Sequence, residues 1–243
     1  KGPLLEAVFR EYGIPFFVEE TSSLGDTGLA AFVLDALNAV SGGFAYRDVF
    51  ACLKSGLAGL SPGETDRLEN YCLLWNIRGE GTWGQEAPWD RHPRGYVSER
   101  TEADEKELAE VDALRRKAAA PLLKLSGALK HAETGREYLT ALTDYLLAAD
   151  IRTGLSARAE RLEELGDLQA ARDCLSQWDA LCACLDQFWE ALGDVSLEEK
   201  DFLRLLELLL RNRDMGSIPA ALDCVSLGSP GRLRGRKPRI LLL

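Results

Sequence analysis

Five basic residues crowd one short stretch of this sequence: Arg232, Arg234, Arg236, Lys237 and Arg239, with no acid between residues 231 and 239. A guanidinium group is planar, always charged and shaped to grip a phosphate through two parallel hydrogen bonds. An arginine cluster in a loop therefore has the chemistry to hold a nucleic-acid backbone. The same composition also keeps a connection between two strands solvated, and charge alone does not separate the two readings. The rest of the chain is acidic, with 24 basic against 39 acidic residues over positions 1–230. That balance argues against broad, non-specific coating of nucleic acid, so any phosphate contact is expected to be local.

The patterns that signal catalysis are missing. No G-x-x-x-x-G-K-[ST] phosphate loop occurs, nor G-x-S-x-G, H-E-x-x-H or G-x-G-x-x-G. The carboxylates Glu102, Asp104, Glu105, Glu107 and Glu110 are interleaved with bases on one predicted helix, the pattern of a solvated face. Only His92 and His131 are available as imidazoles, and neither lies near a cysteine in sequence, so no metal site is expected. The cysteines Cys52, Cys72, Cys174, Cys182, Cys184 and Cys224 form no C-x-x-C pair. Cys182 and Cys184 stand two apart on a predicted helix and so point in different directions. Buried, reduced thiols are the expectation.

At 243 residues, 46% hydrophobic and 28% charged, the chain has ordinary globular composition for one large domain or two small ones. No apolar run approaches the roughly 18 residues of a membrane span, and no signal-peptide pattern is visible. The start on Lys1 and the abrupt Ile240–Leu243 ending fit an excised piece of a longer protein.

Residues 3–12 predict a short helix with Leu4, Leu5, Val8 and Phe9 on one face. Pro15 excludes helix, and Phe16, Phe17 and Val18 favour a short strand. Helices are expected from Thr27 to Gly42-Gly43 and over 45–54. Three capping boxes, at Ser61–Glu64, Thr134–Glu137 and Ser196–Glu199, predict helix starts. Residues 76–100 are Gly/Pro-rich and predict a long irregular loop anchored by Trp83 and Trp89. From about 102 to 211 the chain reads as helix after helix: 102–131 bent or capped near Pro121, then 135–149, 151–164, 167–192 and 197–211. In the fourth of these, Ala171, Cys174, Trp178, Leu181, Leu185, Phe188 and Leu192 stand near heptad spacing and predict a packed seam. Residues 222–228 read as a strand, and 239–243 as a strand buried on both faces, as in a parallel sheet. Strand signals thus sit at both ends of a long helical block, the arrangement of a helical insertion in an α/β domain.

Several stretches read together resemble a known family: "VFREYGIPFFVEE" (8–20), "YRDVFACLKSGLAGLSPGETDRLENYCLLWNIRGEGTW" (46–83), "LRRKAAAPLLKL" (114–125) and "GSIPAALDCVSLGSPGRLR" (216–234). Collinearly along the chain they are similar to the AddB/RexB family, the B-type subunits of bacterial ATP-dependent helicase/deoxyribonucleases. Where members usually carry Asp-Arg or a similar pair, this chain has Pro230-Gly231.

The resemblance implies a mainly α fold: a helical bundle, like the 2B insertion of superfamily 1 helicases, flanked by short α/β pieces of a RecA-like 2A domain. Residues 1–58 would be the first piece of 2A, 59–214 the helical insertion and 215–243 the return to 2A. The implied role is non-catalytic. The segment would handle single-stranded DNA and scan for a hotspot sequence, within a helicase/exonuclease that repairs double-strand breaks by homologous recombination in the cytoplasm. The implied partners are the A-type subunit of the helicase–nuclease heterodimer, single-stranded DNA and broken duplex ends, with no membrane. ATP, Mg2+ and a 4Fe–4S cluster would bind outside these residues. Ser229, Arg232 and Arg234 are the implied DNA-backbone contacts, with Trp75, Arg78 and Trp83 as weaker candidates for stacking or phosphate contact. The alternative is a helical scaffold that docks the partner subunit without touching DNA.

Overall fold

The computed structural model describes residues 2–18, 22–97, 99–215 and 224–227. The chain divides into two compact units, one made of residues 1–22 and 214–243, the other of residues 23–213.

In the first unit, helix α1 (Gly2–Glu11) is followed by the strand Phe16–Val18. Pro15 has no N–H to give a helix. Its carbonyl instead accepts a hydrogen bond from the Val225 N–H at 2.9 Å. The strand pairs in parallel with the strand Val225–Leu227, in the register Phe16 to Val225, Phe17 to Ser226 and Val18 to Leu227. The Phe9 ring packs on Phe16 at 5.6 Å. Two strands some 200 residues apart in sequence are thus neighbours, and the whole helical unit lies between them in chain order. Of the strand expected over 222–228, residues 224–227 are described and 225–227 form strand; the one expected over 239–243 lies outside the described residues.

The second unit is a helical bundle. Helix α2 (Gly28–Ser41) is its centre: Leu29, Phe32, Val33, Ala36, Leu37 and Val40 are all buried, so apolar residues surround most of its circumference, as a helix enclosed by others requires. Its Thr27 cap accepts from Ala30 N–H at 3.2 Å. Helix α3 (Tyr46–Leu53) returns after Gly43 and Phe44, both at positive φ. Helix α4 (Pro62–Trp75) starts at the Ser61–Glu64 capping box with Pro at its first turn, and stops at Asn76 in the left-handed conformation. Short helix α5 (Glu80–Gly84) lies inside the segment that reads from sequence as irregular.

Helix α6 (Glu102–Leu129) runs unbroken through Pro121 and packs against α2, α4, α5 and α7 (Gly135–Ala148). Helices α8 (Ile151–Glu164) and α9 (Leu168–Leu192) form a hairpin. On α9 the expected seam is present in part: Ala171, Cys174, Leu181 and Phe188 are buried, Trp178, Leu185 and Leu192 are half-buried, and Cys184, outside the expected set, is buried as well. Helix α10 (Glu199–Asn212) closes the bundle through Phe202, Leu206 and Leu210. Phe202 stacks on Tyr138 of α7 at 4.9 Å and meets Phe188 of α9 edge-on at 5.4 Å, so three helices converge on one aromatic cluster.

One expected helix start is corrected. Ser196 does not cap α10; the helix begins at Glu199, with Glu198 at the cap position and no side-chain cap bond. Ser196 instead pairs with Thr134 in an isolated antiparallel bridge, flanked by Leu197 N–H to Glu133 and Gly135 N–H to Val195, both 3.0 Å. The bridge holds the backbone extended, and it requires a glycine at 135, because a Cβ there would run into the Leu192 carbonyl. The Thr134–Glu137 box on the same strand of the bridge forms as expected.

Candidate functional site

Two buried ion networks turn the 76–100 segment into a fixed surface. Arg115 of α6 is 2% exposed. Its Nε donates to Asp112 Oδ1 at 2.8 Å, and its Nη1 donates to the Trp83 and Gln85 carbonyls at 2.7 and 2.9 Å. Asp112 also accepts from the Trp89 N–H at 3.0 Å and from Arg116 Nε at 2.8 Å. Burial pushes the Asp112 carboxyl up, but these donors outweigh it and hold it below the ordinary carboxylate range. The guanidinium of Arg115 also lies 5.4 Å from the centre of the Trp89 ring, and Trp89 stacks on Tyr71 of α4 at 5.3 Å.

The second network centres on Asp104, in the first turn of α6. Arg94 clamps it with two bonds of 2.7 Å, and the Thr101 hydroxyl and N–H donate at 2.6 and 2.7 Å. The solvated face expected for this carboxylate is corrected: Asp104 is buried and paired. His92 is buried beside it, with Nδ1 accepting from the Arg94 N–H and the other ring nitrogen against the Glu99 carbonyl, both at 3.1 Å. With Nδ1 accepting, Nε2 is the ring nitrogen that donates, to the Glu99 carbonyl.

The Arg94 guanidinium beside Asp104 holds that carboxyl well below its usual range, and Thr101 adds to the effect. A depressed folded-state pKa stabilises the fold fully above the unfolded value of about 4 and loses that contribution as pH falls through the folded value. Asp104→Asn is therefore expected to flatten the decline in urea midpoint on acidification below about pH 4. A wild-type and variant series of urea melts at descending pH measures this.

The candidate site residues fall as follows. Ser229, Arg232 and Arg234 lie outside the described residues. Trp83 is 1% exposed, packed against Phe50 and Trp89, and in this conformation offers no ring face to a base. Trp75 is half-buried, its Nε1 donating to the His92 carbonyl at 3.0 Å. Arg78 is exposed and bonds to Asn76 Oδ1. Trp75 thus stands half-buried at the C-terminal end of α4, Arg78 is exposed three residues further on, and Trp83 is in the core.

The surroundings of Trp75 have members that sequence reasoning passed over. Tyr96 is 95% exposed and meets Trp75 edge-on at 5.0 Å. Arg91 sits 5.4 Å over the Trp75 ring and donates to the Trp75 carbonyl at 3.2 Å. Gly95, at φ +87°, makes the turn that projects Tyr96. The signal was the run Arg91–Tyr96, where two arginines flank His-Pro and an aromatic follows a glycine. Arg78 also lines a cleft of about 380 Å³ between α3 and α4, with Ala45, Tyr46, Arg47, Cys72, Leu73 and Ile77 among its walls. Among the described residues, no group of three or more His, Cys, Asp or Glu side chains is placed to hold a metal ion.

The fold defines a mainly α chain whose helical bundle is inserted, in chain order, between two paired strands. No family model matches it. Curated relatives do: it is 32% identical over 241 residues to the B-type subunit of the ATP-dependent helicase/deoxyribonuclease of Acetivibrio thermocellus, covering 99% of this chain and 21% of the relative. It is 34% identical over 251 residues to the same subunit from Symbiobacterium thermophilum, covering all of this chain and 21% of that one. The counterpart from Clostridium botulinum strain Loch Maree is 29% identical over 240 residues, again 99% of this chain and 21% of the relative. Along nearly its whole length the chain is similar to these B-type subunits, and it spans about a fifth of the length of the curated relatives it matches.

Proposed function

We propose that this chain is a non-catalytic, helicase-like segment of a helicase/exonuclease, and that it handles single-stranded DNA during recombinational repair of double-strand breaks. The observation that carries the proposal is the collinear relationship to the B-type subunits along 99% of the chain. Hotspot scanning belongs to the same proposal, as do the 2A–2B–2A division at residues 1–58, 59–214 and 215–243, a cytoplasmic location and pairing with an A-type subunit. No described helix is long and apolar enough to cross a membrane. ATP, Mg2+ and the 4Fe–4S cluster are assigned to other parts of the parent protein.

Within the chain, Ser229, Arg232 and Arg234 are the proposed backbone contacts. The scaffold reading has its own support: residues 23–213 carry 22 basic against 33 acidic side chains, a net charge of −11. Such a surface repels phosphate at long range and suits a basic protein face. Fluorescence anisotropy with labelled single-stranded DNA across a salt series separates the two. The proposal expects salt-sensitive binding whose slope becomes shallower by about 1.4 in Arg232→Ala/Arg234→Ala, roughly 0.7 for each lost contact to a single-strand phosphate. An unchanged slope in that variant favours the scaffold.

A further inference from the structure

We infer that the surface built by Trp75, Tyr96, Arg78 and Arg91 is a stacking and phosphate-binding strip for single-stranded nucleic acid, in addition to the basic tail. The inference deepens the function proposed above and rests on it.

Three observations converge on that surface. Tyr96 is held out into solvent, 95% exposed, with Trp75 touching it only edge-on at 5.0 Å. A ring left this open is available for stacking, and a base is a sequence-tolerant partner because every base has a π-face.

The second observation is charge. Arg78, Arg91 and Arg100 bond to the Asn76 side chain and to the Trp75 and Asp90 carbonyls, all neutral acceptors. Among the described residues, none of the three is within ion-pair distance of a carboxylate, whereas Arg94, Arg115 and Arg116 of the same region are each paired with one. The strip thus holds unneutralised guanidinium groups within a unit of net charge −11.

The third is the cleft of about 380 Å³, with mostly apolar walls and Arg47 and Arg78 among them. Arg47 is paired with Asp48 at 3.5 Å, so among the described residues Arg78 is the unpaired cation at this apolar slot, placed to meet a phosphate beside a base.

The occupant follows from the combination. A duplex hides its base faces and would leave Tyr96 and the cleft unused. An acidic peptide would satisfy the arginines but brings no flat face to the ring. A single strand supplies both. The strip is also preorganised: the Trp75 indole N–H, the Tyr71 hydroxyl and the Arg91 guanidinium tie α4 to the 91–92 backbone, so little ordering entropy remains to be lost on binding.

The test is fluorescence anisotropy of the full chain with a fluorescein-labelled oligo(dT) of about 15 nucleotides, near the upper site size of a stacking platform. Loss of stacking predicts that Tyr96→Ala weakens binding about tenfold with the salt slope unchanged, and that Tyr96→Phe restores it. Loss of phosphate contacts predicts that Arg78→Ala/Arg91→Ala makes the slope shallower by about 1.4, roughly 0.7 per single-strand phosphate. Arg152→Ala/Arg161→Ala on α8 changes net charge equally and should leave the slope alone. All these residues are surface positions, and urea midpoints verify that each variant folds.

Wild-type affinity and slope in both strip variants would overturn the inference. If Arg232→Ala/Arg234→Ala alone abolished binding, the proposed function would stand without the strip. Absence of oligo(dT) binding by the wild-type chain also overturns the strip. Loss of pairing with the partner protein in Tyr96→Ala, with DNA binding intact, would reassign the surface to protein docking.

Discussion

Asp112→Ala is expected to destabilise the chain by about 3–5 kcal/mol, because it strands a buried guanidinium. Arg115 is almost wholly enclosed, and Asp112 is the carboxylate paired with it at 2.8 Å. Removing the acid leaves Arg115 with only the Trp83 and Gln85 carbonyls, neither of which neutralises it. The Trp89 N–H loses its acceptor in the same step. The damage should therefore spread along the 76–100 segment. Urea denaturation should show a lower midpoint, and hydrogen exchange should rise at Trp83–Trp89 before the rest of the bundle opens. The double variant Asp112→Leu/Arg115→Met removes both charges. It should recover most of the loss, because replacing a buried ion pair with apolar groups is often close to neutral. A double variant as unstable as Asp112→Ala would mean that packing, not stranded charge, governs the site.

Phe202→Ala is expected to cost about as much, roughly 3–5 kcal/mol, by a different route. The ring is fully buried where α7, α9 and α10 meet, stacked on Tyr138 and edge-on to Phe188. Truncation forfeits the transfer free energy of the ring and leaves a cavity that three helices cannot all collapse into. The cluster joins segments more than 60 residues apart, so the loss should appear as a lower midpoint of a single cooperative transition. Phe202→Leu keeps most of the volume and should cost much less. A Phe202→Ala cost below about 1 kcal/mol would show that the cluster is not a centre of the core.

How much of this was legible depended on how local the deciding interactions are. The boxes at Ser61–Glu64 and Thr134–Glu137 formed as read, because a cap needs only four consecutive residues. The seam of α9 was legible from periodicity, with Ala171, Cys174, Leu181 and Phe188 all buried. Ser196 misled because its deciding partner, Thr134, is 62 positions away, and a backbone bridge overrides a local cap.

The length of the 76–100 segment and its tryptophan anchors were visible in its composition. What fixes it was not: Asp104, Asp112 and Arg115 sit on a helix whose charge pattern reads as solvated, and only the packed structure shows them buried. Tyr96 was passed over for the opposite reason: the run Arg91–Tyr96 marks a basic turn with an aromatic after a glycine, but only the packed structure shows that ring left open. The parallel pairing of Phe16–Val18 with Val225–Leu227 joins the two strand signals at opposite ends of the helical block. Periodicity marks such strands, but their partnership is set by the fold.

The most direct test of the account is a hydrogen-exchange footprint of the full chain with and without saturating oligo(dT). The account predicts slowed exchange in two segments, residues 75–97 and residues 229–239, with α8 and the outer face of α9 unchanged. Protection in neither segment under conditions where binding is saturated, or protection confined to α8 and α9, would contradict it.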